Sequence, residues 1–154
     1  MQGLTNLKGF CMVNIIVTGH GKFSEGMISA LNLIAGPQGN IQNVNFLESD
    51  NTEELREHLE IALSNTDSEV IFLTDLKGGS PYKEAVMLKW ENPEKNIEIL
   101  SGTNFPLLLT ATLTPMDSAS VLANVLVSEG QNAIDKYTHI DIVDTDDLDF
   151  ENGI

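Results

Sequence analysis

The chain has 154 residues, 42% of them hydrophobic, enough for one domain with a proper core and with no apolar run long enough to cross a bilayer. Its formal net charge of −15, from 23 acidic and 8 basic residues, argues against partners that present phosphate backbones or anionic membrane surfaces. Cys11 is the single cysteine, which excludes an internal disulfide framework and any multi-cysteine metal site.

Residues 1–11 show no periodicity, precede a second methionine, Met12, and read as an upstream extension or expression-derived leader without the marks of a secretory signal. From Val13 to Thr18 the chain is short and β-branched and closes on Gly19, which predicts a buried strand. Ser24 then precedes Met27, Ile28, Leu31 and Ile34 at helical spacing, and Gly36-Pro37 ends that helix. Ile41 to Leu47 alternates apolar with polar and predicts a second strand. Thr52, as N-cap, opens a second helix with Leu55, Leu59, Ala62 and Leu63 on one face. Val70 to Thr74 has the clearest strand character in the chain. After it, Ser80-Pro81 reads as N-cap and N1 of a third helix carrying Ala85, Val86 and Leu88. Ile97 to Leu100 is a fourth strand, Asn104 and Pro106 start an apolar helix, and a last helix runs from about Ser118 to Tyr137.

This alternation predicts an α/β fold: a doubly wound, mainly parallel sheet of four strands with helices on both faces. No repeat or linker interrupts residues 12–137, so they form one domain. Residues 138–154 make an acidic C-terminal segment, in which His139 to Val143 can add an edge strand, from this subunit or a neighbour, before a disordered tail. Six acidic residues (Asp141, Asp144, Asp146, Asp147, Asp149 and Glu151) crowd that end, and without them the charge is still −9, so the body is acidic too. Acidity of this kind suits a basic protein partner; it also simply confers solubility.

In an open parallel sheet, ligands sit where connections leave the carboxyl ends of strands for opposite faces. Two loops occupy such positions: Thr18-Gly19-His20-Gly21 after the first strand, and Thr74-Asp75-Leu76-Lys77-Gly78-Gly79-Ser80-Pro81 after the third. A carboxylate from Asp75 that accepts the proton-bearing Nδ1 of His20 fixes the tautomer and leaves Nε2 with a free lone pair. That nitrogen is a nucleophile able to attack phosphorus. Gly19 and Gly21 clear space for a donor, Gly78 and Gly79 let backbone amides approach, and Ser80 at a helix start offers its hydroxyl and free N–H groups to phosphate. Singly, each piece has an ordinary reading as a turn, a cap or a loop; their joint placement carries the functional one. Lys22 and Lys77 read as solvated. His58 and Arg56 lie on the second helix and His139 beside the tail, away from both loops.

With these residues in view, the chain from Val13 to Tyr137 resembles the IIA domain of the mannose-type sugar phosphotransferase system. The resemblance rests on Ile16-Val17-Thr18-Gly19-His20-Gly21, on Phe72 to Tyr82 through the Gly-Gly-Ser-Pro loop, and on Ser101-Gly102-Thr103-Asn104-Phe105-Pro106-Leu107-Leu108. It implies a cytoplasmic phosphotransferase with a phosphohistidine intermediate at His20, oriented by Asp75, with Gly21, Gly79 and Ser80 on the phosphate side. It implies HPr as phosphoryl donor, a separate IIB protein as acceptor, and the IIC/IID permease indirectly; the family is usually dimeric. It calls for no cofactor and no metal, and for neither nucleic acid nor membrane insertion. The family fold includes a C-terminal strand that can join the partner's sheet, a position that His139 to Val143 could match.

Two other functions share some features. The phosphotransfer subunit of a dihydroxyacetone kinase has this fold with a histidine after strand one, and a non-catalytic ligand-binding module would need no chemistry at His20. A receiver domain would need carboxylates after strand one for Mg²⁺, where Thr-Gly-His-Gly stands. A histidine phosphatase would surround the imidazole with arginines, but Arg56 is the only arginine. A P-loop is excluded because Phe23 follows Gly21-Lys22.

Overall fold

A computed structural model describes residues 12–141. Nine elements alternate through most of that span: β1 (Asn14–His20), α1 (Phe23–Ala35), β2 (Ile41–Phe46), α2 (Thr52–Ser64), β3 (Glu69–Thr74), α3 (Ser80–Glu91), β4 (Asn96–Leu100), α4 (Phe105–Leu113) and α5 (Ala119–Asn132). The strands form one sheet in the order β2-β1-β3-β4, with every pairing parallel.

The order explains the composition of each strand. β1 and β3 are central and covered on both faces, so Ile15, Ile16, Val17, Val70, Ile71, Phe72 and Leu73 are all fully buried. β2 and β4 are edges and mix polar with apolar residues. Side chains alternate between two cores. Ile15, Val17, Ile71 and Leu73 meet α1, α4 and α5, where Leu31, Leu107, Leu108, Leu122 and Leu126 pack. Ile16, Val70 and Phe72 face α2 and α3, against Leu55, Leu59, Ala85 and Leu88. The crossover after β1 therefore lies on one face and the crossover after β3 on the other. Their starting points, at His20 and Asp75, flank the place where the chain diverges.

Several expected boundaries move. The N-cap of α2 is Asn51, not Thr52: the Asn51 side chain accepts from the Glu54 N–H at 2.9 Å, and a Glu54 carboxylate oxygen accepts from the Asn51 N–H at 2.9 Å. This reciprocal pair satisfies two donors, which Thr52 with Leu55 three residues on has no means to do. The N-cap of α3 is Gly79, so Ser80 is N1 and Pro81 follows it, both inside the helix. The last helix ends at Asn132 rather than at Tyr137. Its buried residues, Ala119, Leu122, Ala123, Leu126 and Gly130, stop there, and Ile134 and Tyr137 are exposed, so a further turn would have no core to cover. His139 to Asp141 form no strand. Ile142, Val143 and the remainder of the acidic segment lie outside the described residues, as do residues 1–11.

Candidate functional site

His20 is the last residue of β1, and Asp75 follows the last residue of β3, its neighbour in the sheet. One carboxylate oxygen, Oδ2 of Asp75, accepts from both the backbone N–H of His20 and its ring Nδ1, each at 2.8 Å. An ionised carboxylate only accepts, so the ring proton is assigned to Nδ1 and the lone pair to Nε2. The imidazole is half exposed and the carboxylate mostly covered, at 47% and 17% of their side-chain surfaces. An anchored base with an open nucleophilic edge is the outcome.

The glycines act differently from one another. A Cβ at Gly19 would stand 2.9 Å from the Asp75 Cγ and 2.6 Å from Cδ1 of Phe23. The space at Gly19 is thus filled from within, by the carboxylate itself, and does not serve an approaching donor. Gly21 has φ +58°, a conformation that favours glycine, and its N–H donates to the Phe46 carbonyl at 2.7 Å. That amide is committed to the fold and is not free for phosphate. Gly79 abuts the ring: a Cβ there would lie 2.7 Å from Cε1 and 3.5 Å from Nε2 of His20. Its own N–H is used by the Leu76 carbonyl at 3.1 Å, so Gly79 contributes room rather than a donor.

What faces Nε2 beyond Gly79 is the start of α3. The Ser80 and Tyr82 N–H groups belong to the first helical turn and have no intrahelical acceptor, and Pro81 has no N–H. Ser80 is half-buried at the first position of the helix. The helix start and the Ser80 hydroxyl are an arrangement suited to an anion attached to Nε2.

Phe46 is a site neighbour that the sequence reading lacks. Its ring centroid lies 5.9 Å from that of His20 at 58°, because β2 pairs with β1 in a register that sets Phe46 against His20. The only signal for it would have been the strand order. Lys22 is solvated and 4.0 Å from Glu25, and Lys77 is exposed, as expected. Arg56 is held between Glu60 at 3.0 Å, Glu84 at 3.6 Å and Glu91, and hydrogen bonds to Glu91 and then Glu60 raise its pKa. His58 is exposed on α2 and His139 is exposed beside Asp141, so neither joins the site.

A hollow of about 400 Å³ runs along β2 and α2 past Asn45, Leu47, Asp50 and His58, and it includes neither His20 nor Asp75. The imidazole, with 47% of its side-chain surface exposed, lies at the surface outside that hollow. Such a surface fits a macromolecular partner better than a small enclosed substrate.

Comparison with known proteins identifies the family and the fold. The family model described as "PTS system fructose IIA component" matches residues 14–126. The fructose-specific EIIA component of Bacillus subtilis is 31% identical over 100 residues, covering 64% of this chain and 67% of that protein. The mannose-specific EIIAB component of Escherichia coli is 26% identical over 126 residues, and the match covers 79% of this chain but only 38% of that longer protein. Among solved structures, the EIIA phosphotransferase component of Streptococcus agalactiae superposes with a TM-score of 0.78 at 31% identity, covering 81% of this chain and 97% of that one. A mannose/sorbose-specific IIA subunit from Enterococcus faecalis gives 0.79 at 22% identity, covering 86% and 99%, which supports the fold. A matched doubly wound parallel sheet, and a family model spanning both loops that meet at His20, lead to one assignment: the chain belongs to the EIIA-man family of phosphotransferase-system IIA components.

Proposed function

We propose that His20 carries a phosphoryl group on Nε2, accepting it from phospho-HPr and passing it to a IIB protein or domain that serves a mannose-type IIC/IID permease. The observation that carries this is the 2.8 Å bond from Nδ1 to Asp75 Oδ2, which leaves Nε2 as the free nucleophile beside the start of α3. The Nε2 lone pair forms the new N–P bond as the bond from phosphorus to the donor nitrogen breaks, and that nitrogen departs with the electron pair. The proton stays on Nδ1, donated to Asp75 throughout, so the N-phosphorylated ring carries a positive charge that the ionised carboxylate beside it balances. First-turn N–H groups of α3 and the Ser80 hydroxyl then meet the phosphoryl oxygens, while Gly79 keeps the approach clear and Gly21 turns the chain away.

Residues 12–137 act as the phosphocarrier unit, in the cytoplasm and as a homodimer. No helix among the described residues is long and apolar enough to cross a membrane, which accords with docking to soluble donors and acceptors. The family match over residues 14–126 favours the sugar-transport branch over the dihydroxyacetone kinase branch. Reconstitution tests the assignment. Phosphoenolpyruvate, enzyme I and HPr should label the protein, and a cognate IIB should discharge it. Labelling that a IIB cannot discharge, but a dihydroxyacetone kinase can, would replace the transport reading.

A further inference from the structure

Asp75 has two carboxylate oxygens, and only one is accounted for. Oδ2 takes both donors of His20, while Oδ1 is buried without a hydrogen-bond partner. Leaving a buried charged oxygen unpaired is costly, and it would let the carboxylate rotate away from the ring. Four other buried side-chain atoms among the described residues also lack partners: Asn14 Nδ2, Thr18 Oγ1, Asn40 Oδ1 and Thr103 Oγ1.

Position separates these four. Asn14 starts β1 and Asn40 precedes β2, so both lie at the amino end of the sheet, opposite Asp75. Thr18 alternates in β1 with Ile16 and therefore faces α2 and α3. Asp75 lies over the other face, because its Cγ approaches the Cβ position of Gly19, next to Phe23 of α1. Thr103 belongs to that same side. It leads into α4, which packs with α1, and its backbone N–H donates to the Thr74 carbonyl at 3.1 Å, one residue from Asp75. Thr103 is buried too, at 7% exposure.

We propose that the Thr103 hydroxyl is the positioning partner of Asp75 Oδ1, acting through one buried water because the two oxygens are not in direct hydrogen-bond contact. Thr103 thereby stops the carboxylate turning and keeps Oδ2 on both His20 donors. The β4–α4 loop becomes a third part of the site, joined to it from behind. The proposal rests on the reading of His20 as the phosphoryl carrier, with Thr103 acting only through Asp75.

The test compares Thr103→Val, which keeps the volume and removes the hydroxyl, with Thr103→Ser, which keeps the hydroxyl. The first readout is the His20 Nδ1–H proton signal in the ¹⁵N-labelled, unphosphorylated protein. The second is the rate of phosphoryl transfer from phospho-HPr across donor concentrations. Thr103→Val should lose the slowly exchanging ring proton and lower the maximal rate about tenfold with the donor KM unchanged, and Thr103→Ser should match the parent. A Val variant equal to the parent, or a Ser variant as impaired as Val, overturns the proposal. Should Thr103→Val fail to fold, Thr103→Ala against Thr103→Ser gives the same contrast, since that pair differs only in the hydroxyl. Continued labelling of a His20→Ala variant would sink the carrier reading instead, and the ring-proton signal would still decide the role of Thr103.

Discussion

At His20 the main-chain N–H and the ring Nδ1 both converge on one oxygen of Asp75, each at 2.8 Å, so a single carboxylate sets the end of β1 and the tautomer together. The second role needs the negative charge, because the phosphoryl transfer proposed for Nε2 would build positive character on the ring that a carboxylate offsets. Asp75→Asn should therefore leave the thermal unfolding midpoint close to that of the parent while slowing transfer by about a hundredfold or less. A variant that fails to fold would show Asp75 to be chiefly a cap for the strand end. Both residues were legible in the sequence, since each closes a buried β-branched strand in a loop with glycines. The individual glycines were not. Gly19 reads alike whether its missing side chain admits a visitor or Asp75, and only the packed geometry, with Phe23 and Asp75 against it, separates the two.

Among the elements, α3 presents its first turn to Nε2 because the chain enters it through Gly78 at φ +81° and an extended Gly79. Placing Ser80 as cap and Pro81 as first residue misjudged this entry by one position. The Gly-Gly-Ser-Pro string permits both registers, and the approach of Gly79 to the His20 ring selects the observed one. The α2 start was decidable from sequence: Asn51 has Glu54 three residues on, and Thr52 has Leu55. This difference is measurable. Asn51→Ala should cost about 1 kcal/mol in chemical denaturation and Thr52→Ala only a few tenths, about the level of a surface change. Equal losses at the two positions would mean that the capping box contributes little. At α5, apolar residues beyond Asn132 suggested more helix, but a helix in a protein persists where it has something to cover, and Ile134 and Tyr137 have nothing.

For the whole molecule, alternation of strands and helices was enough to give a parallel doubly wound sheet, because parallel strands require crossovers and crossovers here are helices. The order β2-β1-β3-β4 was not legible, since no local pattern states which strand lies beside which. The order is nonetheless what makes the site: it seats β1 beside β3 and brings Phe46 of β2 beside the imidazole, with centroids 5.9 Å apart. It also sets His20, half exposed, at the carboxyl end of the sheet in a chain of net charge −15. The most direct measurement is the position of the phosphoryl group itself, read by ¹⁵N–³¹P coupling in ring-labelled protein phosphorylated by HPr. Coupling at Nε2 of His20, absent from a His20→Ala variant that no longer takes up phosphate, is the predicted result. A phosphoryl group on Nδ1, on Asp75 or on any residue that survives the loss of His20 would contradict it.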